Sequence, residues 1–169
     1  HDGAANEFQL AWSTVNNQPT NGVAVGDLDR DGDIDIVFAN GANQANEVYL
    51  NDGTGSFSLG AFPEANDAAL RASSTGVDLA DFDLDGDLDI AFSNSGTATN
   101  SSSGANRVYR NDGTGFVSVW TEDANQVAQS MALAWGDWNG DGYPDLAVAN
   151  TSSLGFGVNR IYDNVGGEL

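Results

Sequence analysis

Acidic residues alternate with other residues in three nine-residue segments of the chain. These segments span residues 27–35, 81–89 and 137–145 (loops 1, 2 and 3), and they hold five, five and three of the 25 acidic residues. Each loop has oxygen-bearing side chains at its first, third and fifth positions, a glycine at its sixth and an aspartate at its ninth. This spacing suits a hard cation such as calcium, because it gathers oxygen ligands around a turn that only glycine makes easily.

The three loops therefore predict about three calcium ions per chain. In loop 3 an asparagine, Asn139, takes the place of an aspartate, so we expect a weaker third site. The seventh residue of each loop would offer its backbone carbonyl. The residues assigned to metal binding are Asp27, Asp29, Asp31, Asp33, Asp35, Asp81, Asp83, Asp85, Asp87, Asp89, Asp137, Asn139, Asp141, Tyr143 and Asp145.

The residues that flank the loops exclude an EF-hand. That motif needs a bidentate glutamate at its twelfth position, where this chain has Phe38, Phe92 and Val148. It also needs flanking helices, whereas loop 1 lies between the short β-branched runs 23–25 and 36–38. Such runs favour strands, so each loop is predicted to join two strands.

Composition removes several other functional classes. The formal net charge is −20, with five arginines and no lysine, and such a chain repels nucleic acids and anionic membrane surfaces. There is no cysteine and a single histidine, His1, which leaves no thiolate or histidine-cluster metal site and almost no Ser-His catalysis. No apolar run approaches the length of a membrane span.

The loops belong to a longer internal repeat. Their first residues are 54 and 56 positions apart, and each loop is followed by a strand that ends in asparagine. An Asn-Asp-Gly-Thr-Gly hairpin turn follows in the first two repeats, and a fourth strand begins at Phe57 and at Phe116. Each period therefore predicts a four-stranded antiparallel meander, the unit of a β-propeller blade. We place the repeats at about 22–75, 76–131 and 132–169 of a single domain, residues 1–169, with an all-β fold.

At these residues the sequence resembles the FG-GAP/VCBS repeats of integrin-like β-propellers. The resemblance covers nearly the whole chain, and it implies calcium binding in the loop between the first two strands of each blade. It also implies that a ligand binds on the face opposite those loops. The loops there differ in length and composition between repeats, as recognition loops do; they comprise residues 41–45, 95–105 and 151–158, with the links 15–22, 63–76 and 122–130.

Three functions are compatible with these features. The first is a secreted or cell-surface adhesion module, stabilised by calcium, that recognises a saccharide, as a lectin does, or a protein. The second is a propeller-fold polysaccharide lyase or hydrolase, and the third is a structural spacer of a larger surface protein. Hydrolysis needs a carboxylate pair, and nothing in the spacing of Asp52, Glu64, Asp78 and Glu122 singles one out, so we expect no enzymatic activity.

Counting strands predicts a dimer. Residues 7–14 align with the fourth strands of the repeats and precede the first complete repeat, whereas the third repeat reaches only its third strand. Three blades would leave two open edges, while propellers close with four to eight blades. We expect a head-to-tail homodimer that forms one six-bladed ring, with strand 7–14 completing the last blade of the other copy; the alternative is a fragment of a longer single-chain propeller.

Overall fold

The computed structural model describes residues 9–96, 104–151 and 157–169. Eleven strands and one short helix lie in these ranges, and the strands form three antiparallel sheets. Sheet I contains β1 (Thr20–Gly26), β2 (Asp35–Asn40), β3 (Glu47–Asn51) and β4 (Phe57–Leu59); sheet II contains β5 (Ser74–Ala80), β6 (Asp89–Asn94), β7 (Arg107–Asn111) and β8 (Phe116–Thr121); sheet III contains β9 (Gln129–Gly136), β10 (Asp145–Thr151) and β11 (Arg160–Tyr162). Helix α1 (Pro63–Asn66) links sheets I and II.

Each sheet is a meander, with strands in the order of the sequence, as the repeat predicts. The first two strands of every sheet pair in the same register, since Gly26 faces Asp35, Ala80 faces Asp89 and Gly136 faces Asp145. Every acidic loop therefore closes a hairpin between the first two strands of its sheet. The all-β class and the starts of β4 and β8 at Phe57 and Phe116 are confirmed.

The hairpin turns between the third and fourth strands form as their composition predicts. The carboxylate of Asp52 accepts hydrogen bonds from the backbone N–H and the hydroxyl of Thr54, and Asp112 does the same with Thr114. These bonds lower the pKa of both aspartates, because they stabilise the charged form. Asp52 and Asp112 are therefore turn formers.

The sheets pack face to face, and a core lies in each of the two spaces between them. Sheet I contributes Val37 and Val48 to the first core, and sheet II contributes Ile90, Phe92 and Tyr109. The second core is formed by Ala91 and Val108 of sheet II with Leu146 and Val148 of sheet III. Period-two alternation explains this arrangement, because neighbouring residues of one strand enter opposite cores.

Buried glutamates join neighbouring sheets at the end opposite the acidic loops. Glu64 accepts hydrogen bonds from the backbone N–H of Asn46 in repeat 1 (2.9 Å) and from the Tyr109 hydroxyl of sheet II (2.8 Å). Glu122 repeats the arrangement, accepting from the backbone N–H of Asn106 and from the Tyr162 hydroxyl of sheet III. Two residues weighed as catalytic acids are thus tied into the packing between sheets.

Tyr109→Phe tests how much the Glu64 contact stabilises the fold. Loss of the hydroxyl leaves a buried carboxylate oxygen with one donor fewer, so we expect a loss of about 1–2 kcal/mol in the free energy of unfolding, measured in urea. Tyr49→Phe is the matched control, because its hydroxyl lies 3.5 Å from Glu47, at the limit of a hydrogen bond. Equal losses in the two variants would contradict a stabilising role for the glutamate.

Candidate metal centres

The acidic loops fold with a common backbone conformation. The sixth residue of each, Gly32, Gly86 or Gly142, has a φ of 94°, 92° or 96°, the left-handed region that favours glycine. This confirms the reason for glycine at that position. The fourth residue is also left-handed, with φ of 60° at Arg30 and 61° at Leu84. The left-handed conformation at the fourth position could not be predicted from residue type, because a glycine stands at this position only in loop 3.

Side chains within each loop bind backbone amides two residues further on. Asp31 accepts from the N–H of Asp33 (2.9 Å), and Asp85 accepts from that of Asp87 (2.8 Å). The third residues accept longer hydrogen bonds of the same kind, Asp29 from the N–H of Asp31 (3.3 Å) and Asp83 from the N–H of Asp85 (3.4 Å). These bonds hold the loop curled, so that its carboxylates face one another.

In loops 1 and 2 the first, third and ninth residues come together. One carboxylate oxygen from each of Asp27, Asp29 and Asp35 lies within 4.8 Å of the others, and loop 2 repeats the group with Asp81, Asp83 and Asp89. The fifth and seventh residues of both loops, also assigned to metal binding, lie outside these groups. Three like charges at this distance repel one another, so the arrangement favours a bound cation.

Two buried carboxylate oxygens have no hydrogen-bond donor. In the first residue of each loop, Oδ2 accepts from the backbone N–H of the sixth, Asp27 from Gly32 (3.1 Å) and Asp81 from Gly86 (2.9 Å). The other oxygen, Oδ1 of Asp27 and of Asp81, is buried and accepts no bond from the described part of the chain. A buried acceptor without a partner is costly, and a hard cation is the ligand that an oxygen-only group of this kind fits.

The closing aspartates connect each loop to the end of a neighbouring strand. Oδ2 of Asp35 accepts from the N–H of Leu28 in loop 1 (2.7 Å), and its Oδ1 accepts from that of Asn51 at the end of β3 (2.9 Å). Asp89 and Asp145 make the same two contacts in their own sheets. All three are buried, and each of their oxygens keeps a lone pair beyond the hydrogen bond described.

The asparagines that end β3 and β7, and Asn164 two residues after β11, are contact residues that sequence reasoning missed. The side-chain amide of Asn111 donates to the Leu28 carbonyl in loop 1 (2.7 Å), and that of Asn164 donates to the Phe82 carbonyl in loop 2 (2.7 Å). Each therefore joins its own sheet to the loop of the preceding one. Their recurrence in every repeat, at residues 51, 111 and 164, was the available signal.

Burial and like charge raise the pKa of several loop carboxyls. Desolvation is the larger cause at Asp29, followed by the charges of Asp35 and Asp31. At Asp83 the cause is again desolvation, followed by the charge of Asp85. Burial raises the pKa of Asp89 to about 7, although the amides of Asn111 and Phe82 oppose the shift. Without a cation, loop 2 therefore retains a proton on Asp89 at mildly acidic pH.

Loop 3 differs from the other two in its polar contacts. Both oxygens of its first residue, Asp137, accept backbone hydrogen bonds, from Gly140 (2.6 Å) and Gly142 (3.0 Å). The Asn139 amide donates to Asp163 (2.7 Å) and Asp141 (3.2 Å). Hydrogen bonds thus neutralise part of the carboxylate repulsion in loop 3, as the lower charge of this loop suggests.

An arginine connects the first two loops. The Nε of Arg30, the fourth residue of loop 1, lies 2.6 Å from the carboxylate of Asp87 in loop 2. The same side chain donates to the Gly86 and Asp85 carbonyls, both at 3.0 Å. Asp33 and Asp87, which occupy the same loop position, also lie beside the hairpin glycines of their own sheets, Gly53 and Gly113. Leu84 and Gly140 stand at the position of Arg30 in the other loops, so this contact occurs once among the described residues.

The loops of the opposite end lie together as the meander requires. The N–H of Gly41 donates to the Pro19 carbonyl (2.7 Å), and the N–H of Ala42 donates to the Ser73 hydroxyl (3.2 Å). The connections between second and third strands therefore share one end of the sheets with the links into each first strand. Residues 97–103 and 152–156 of the expected recognition loops lie outside the described residues, as do residues 1–8.

Asp78, another of the four acids weighed as catalytic, also makes a structural contact. Asp78 on β5 accepts a hydrogen bond from the backbone N–H of Trp135 on β9 (3.0 Å), which joins sheets II and III. Trp135 also stacks on Phe82 with ring centroids 5.9 Å apart, which adds packing between the second and third repeats.

Comparison with known proteins identifies one family. The sequence matches the FG-GAP-like repeat over residues 27–92 and 96–148, which together exceed half of the chain. No curated protein matches it significantly.

The stabilisation by calcium should grow as pH rises from about 4 to about 7. The folded apoprotein keeps a proton on Asp89 that the unfolded chain loses near pH 4, so without calcium this group destabilises the fold as pH rises through that window. Calcium competes with the proton, and therefore the difference in melting temperature between calcium and EDTA should widen across the same window. A difference that is constant with pH would contradict this.

Asn139→Asp should make loop 3 resemble loops 1 and 2, which have an aspartate at the third position. In EDTA the melting temperature of the variant should fall below that of the wild type, because the hydrogen bonds to Asp163 and Asp141 are replaced by repulsion between carboxylates. The increase in melting temperature on adding calcium should be larger for the variant than for the wild type. Asn125→Asp is the matched control, since the Asn125 amide also donates to an aspartate, Asp123 (2.9 Å), but lies outside the loops. If calcium raised the melting temperature of the variant and of the wild type equally, the added carboxylate would not strengthen calcium binding at loop 3.

Proposed function

Because the chain belongs to the FG-GAP-like repeat family, we propose that it is a calcium-stabilised binding module that acts outside the cell. The three packed sheets would be consecutive blades of a β-propeller. The observation that carries the calcium assignment is the pair of buried, unpartnered oxygens on Asp27 and Asp81, each set in a group of three carboxylates.

The donor set favours calcium over other divalent ions. The side chains grouped in loops 1 and 2 offer a metal only carboxylate oxygens, whereas zinc prefers cysteine and histidine ligands. Magnesium demands a small octahedral shell and retains its waters, while calcium accepts six to eight oxygens in a flexible geometry. When bound, calcium would supply the positive charge that the clustered carboxylates lack.

Calcium that binds only the folded form stabilises it by mass action. Outside cells this works even with weak sites, since extracellular modules use calcium sites of about 10⁻⁴–10⁻³ M affinity. The absence of cysteine gives this effect added importance, because no disulfide limits the unfolded chain. In the described parts of the chain no helix is long and apolar enough to cross a membrane.

The ligand would bind at the end opposite the acidic loops. At the acidic end, the loops and the first two hairpins repeat nearly the same sequence, and their carboxylates accept hydrogen bonds from backbone amides or lie in the candidate metal groups. At the opposite end the connections differ between repeats in length and composition, which is the property of recognition surfaces on rigid scaffolds. A saccharide or a protein surface without strong negative charge suits a chain of net charge −20.

Asp81→Ala tests the calcium contribution. The variant removes a first-position carboxylate, so it should lose most of the stabilisation from the loop 2 site, about 2.7 kcal/mol when calcium is at one hundred times Kd. Glu168→Ala is the control, because it removes one exposed negative charge outside the loops. Thermal melts in calcium and in EDTA make the comparison. Identical curves for the wild type in the two conditions would mean that the loops are acidic turns without a metal.

Screening on a glycan array tests recognition. We expect a restricted set of saccharides to be retained in calcium and released in EDTA, because the loops at the ligand end depend on the stability of the blades. Retention that persists in EDTA would show that ligand binding does not depend on calcium. No retention of saccharides, together with no captured protein, would favour the spacer.

A further inference from the structure

Loops 1 and 2 are joined by an arginine that contacts three consecutive residues of one loop. Arg30 pairs with the Asp87 carboxylate through Nε (2.6 Å), and it donates to the carbonyls of Gly86 and Asp85 (both 3.0 Å). The last of the three, the seventh residue of loop 2, is the one whose backbone carbonyl is a predicted metal ligand. Because a guanidinium presents its donors in a rigid plane, these contacts fix the second half of loop 2 relative to loop 1.

The contact is closely packed and partly shielded from solvent. A Cβ placed on Gly86 would lie 2.6 Å from Nη2 of Arg30, whereas a Cβ on Gly32 or Gly142 would meet no other described residue within 4 Å apart from its chain neighbours. The Arg30 side chain is 50% exposed, but that of Asp87 is only 9% exposed. The pair therefore differs from an ordinary surface ion pair, which contributes little.

The position of Arg30 depends on the shape of loop 1. Its φ of 60° is unfavourable for a residue with a side chain, and such a conformation persists only where the surrounding structure enforces it. Arg30 follows Asp29, whose carboxylate accepts from the N–H of Asp31 (3.3 Å) and belongs to the metal group of loop 1 with Asp27 and Asp35. A cation that holds this group together would therefore also hold Arg30 where it reaches loop 2.

A second connection runs between the closing aspartates of the same two loops. Oδ2 of Asp35 accepts from the N–H of Leu28, and the Leu28 carbonyl accepts from the side-chain amide of Asn111. The backbone N–H of Asn111 donates in turn to Oδ1 of Asp89. We call a side-chain amide that joins a sheet to the preceding loop in this way a strap. Three hydrogen bonds thus link the two closing carboxylates through one strap.

Loops 2 and 3 share the strap but not the arginine. The side-chain amide of Asn164 donates to the Phe82 carbonyl, and its backbone N–H donates to Asp145. At the position of Arg30, however, loop 2 has Leu84, whose side chain cannot donate a hydrogen bond and which is 52% exposed. Loops 1 and 2 are therefore joined by both connections, and loops 2 and 3 by the strap alone.

We propose that Arg30 couples the calcium sites of loops 1 and 2, so that an ion in either loop raises the affinity of the other. This inference rests on the proposed calcium binding. An ion in loop 1 fixes Arg30, and Arg30 fixes the fifth to seventh residues of loop 2, so that loop 2 loses less conformational freedom when it binds its own ion. Coupling between two sites is reciprocal, so the effect is equal in the other direction.

Calorimetric titration with calcium at about 0.15 M salt, which screens the repulsion between the ions, measures the coupling. Asp27→Asn and Asp81→Asn each weaken one site and give the association constant of the other loop alone. The coupling factor is the overall association constant of loops 1 and 2 in the wild type, divided by the product of these two constants. We expect a factor of about five or more, within the range of coupled sites.

Two variants remove the contact. Arg30→Leu, combined with the same loop variants, should lower the factor to about one, because it removes every bond to loop 2. Leucine keeps the backbone, since it stands at the equivalent position of loop 2 with a φ of 61°. Asp87→Asn removes the charge on the other side and should also lower the factor.

Arg71→Leu is the matched control. Arg71 also donates to two backbone carbonyls, those of Glu64 (2.9 Å) and Ala65 (3.0 Å), but at the end opposite the acidic loops. This variant should leave the coupling factor unchanged. Thermal melts show whether each variant is folded, and Asp87→Asn decides the question if Arg30→Leu does not fold.

A factor of one in the wild type, or a factor that loss of the Arg30 contact leaves unchanged, would overturn the proposal. Calcium sites that fill independently would refute the coupling while leaving the binding module in place. The absence of any calcium binding would refute both.

Discussion

Concentrated negative charge at one end of every sheet is the constraint on which the rest of the structure depends. Three carboxylate oxygens within 4.8 Å of one another in loops 1 and 2 cannot all remain charged without an opposing charge. The chain supplies part of the opposing charge itself. The first and ninth residues of each loop accept hydrogen bonds from backbone amides, and Arg30 pairs with a carboxylate of loop 2. The oxygens left on Asp27 and Asp81 mark the part that the polypeptide does not meet.

The same loops hold the sheets together, so the charge and the fold are linked. Asp89, buried at the start of β6, fixes the N–H of Asn111, and the amide of Asn111 reaches the carbonyl of Leu28 in the preceding loop. A loop that loses its shape therefore disturbs its own sheet and the contact with its neighbour. At the other end Glu64 and Glu122 join the sheets without any loop carboxylate, and the apolar cores lie between the two polar ends.

Much of this arrangement could be predicted from the sequence because it is periodic. The strand runs, the loop glycines and the hairpin turns each have a local physical cause, and three copies made the pattern unambiguous. The contacts between repeats could not be read in this way. Nothing local distinguishes Asn111 as a strap, Glu64 as a buried acceptor or Asp78 as the partner of Trp135, since each depends on a residue about 45 to 85 positions away. The differences of loop 3 were visible as composition, but the engagement of both Asp137 oxygens was not.

Calorimetric titration of calcium into the EDTA-stripped protein tests the central claim most directly, because it counts the cations that the carboxylate groups require. The account predicts two tighter sites, from loops 1 and 2, and a weaker one from loop 3, with zinc binding more weakly than calcium. A single site per chain, no heat of binding, or a preference for zinc would contradict it.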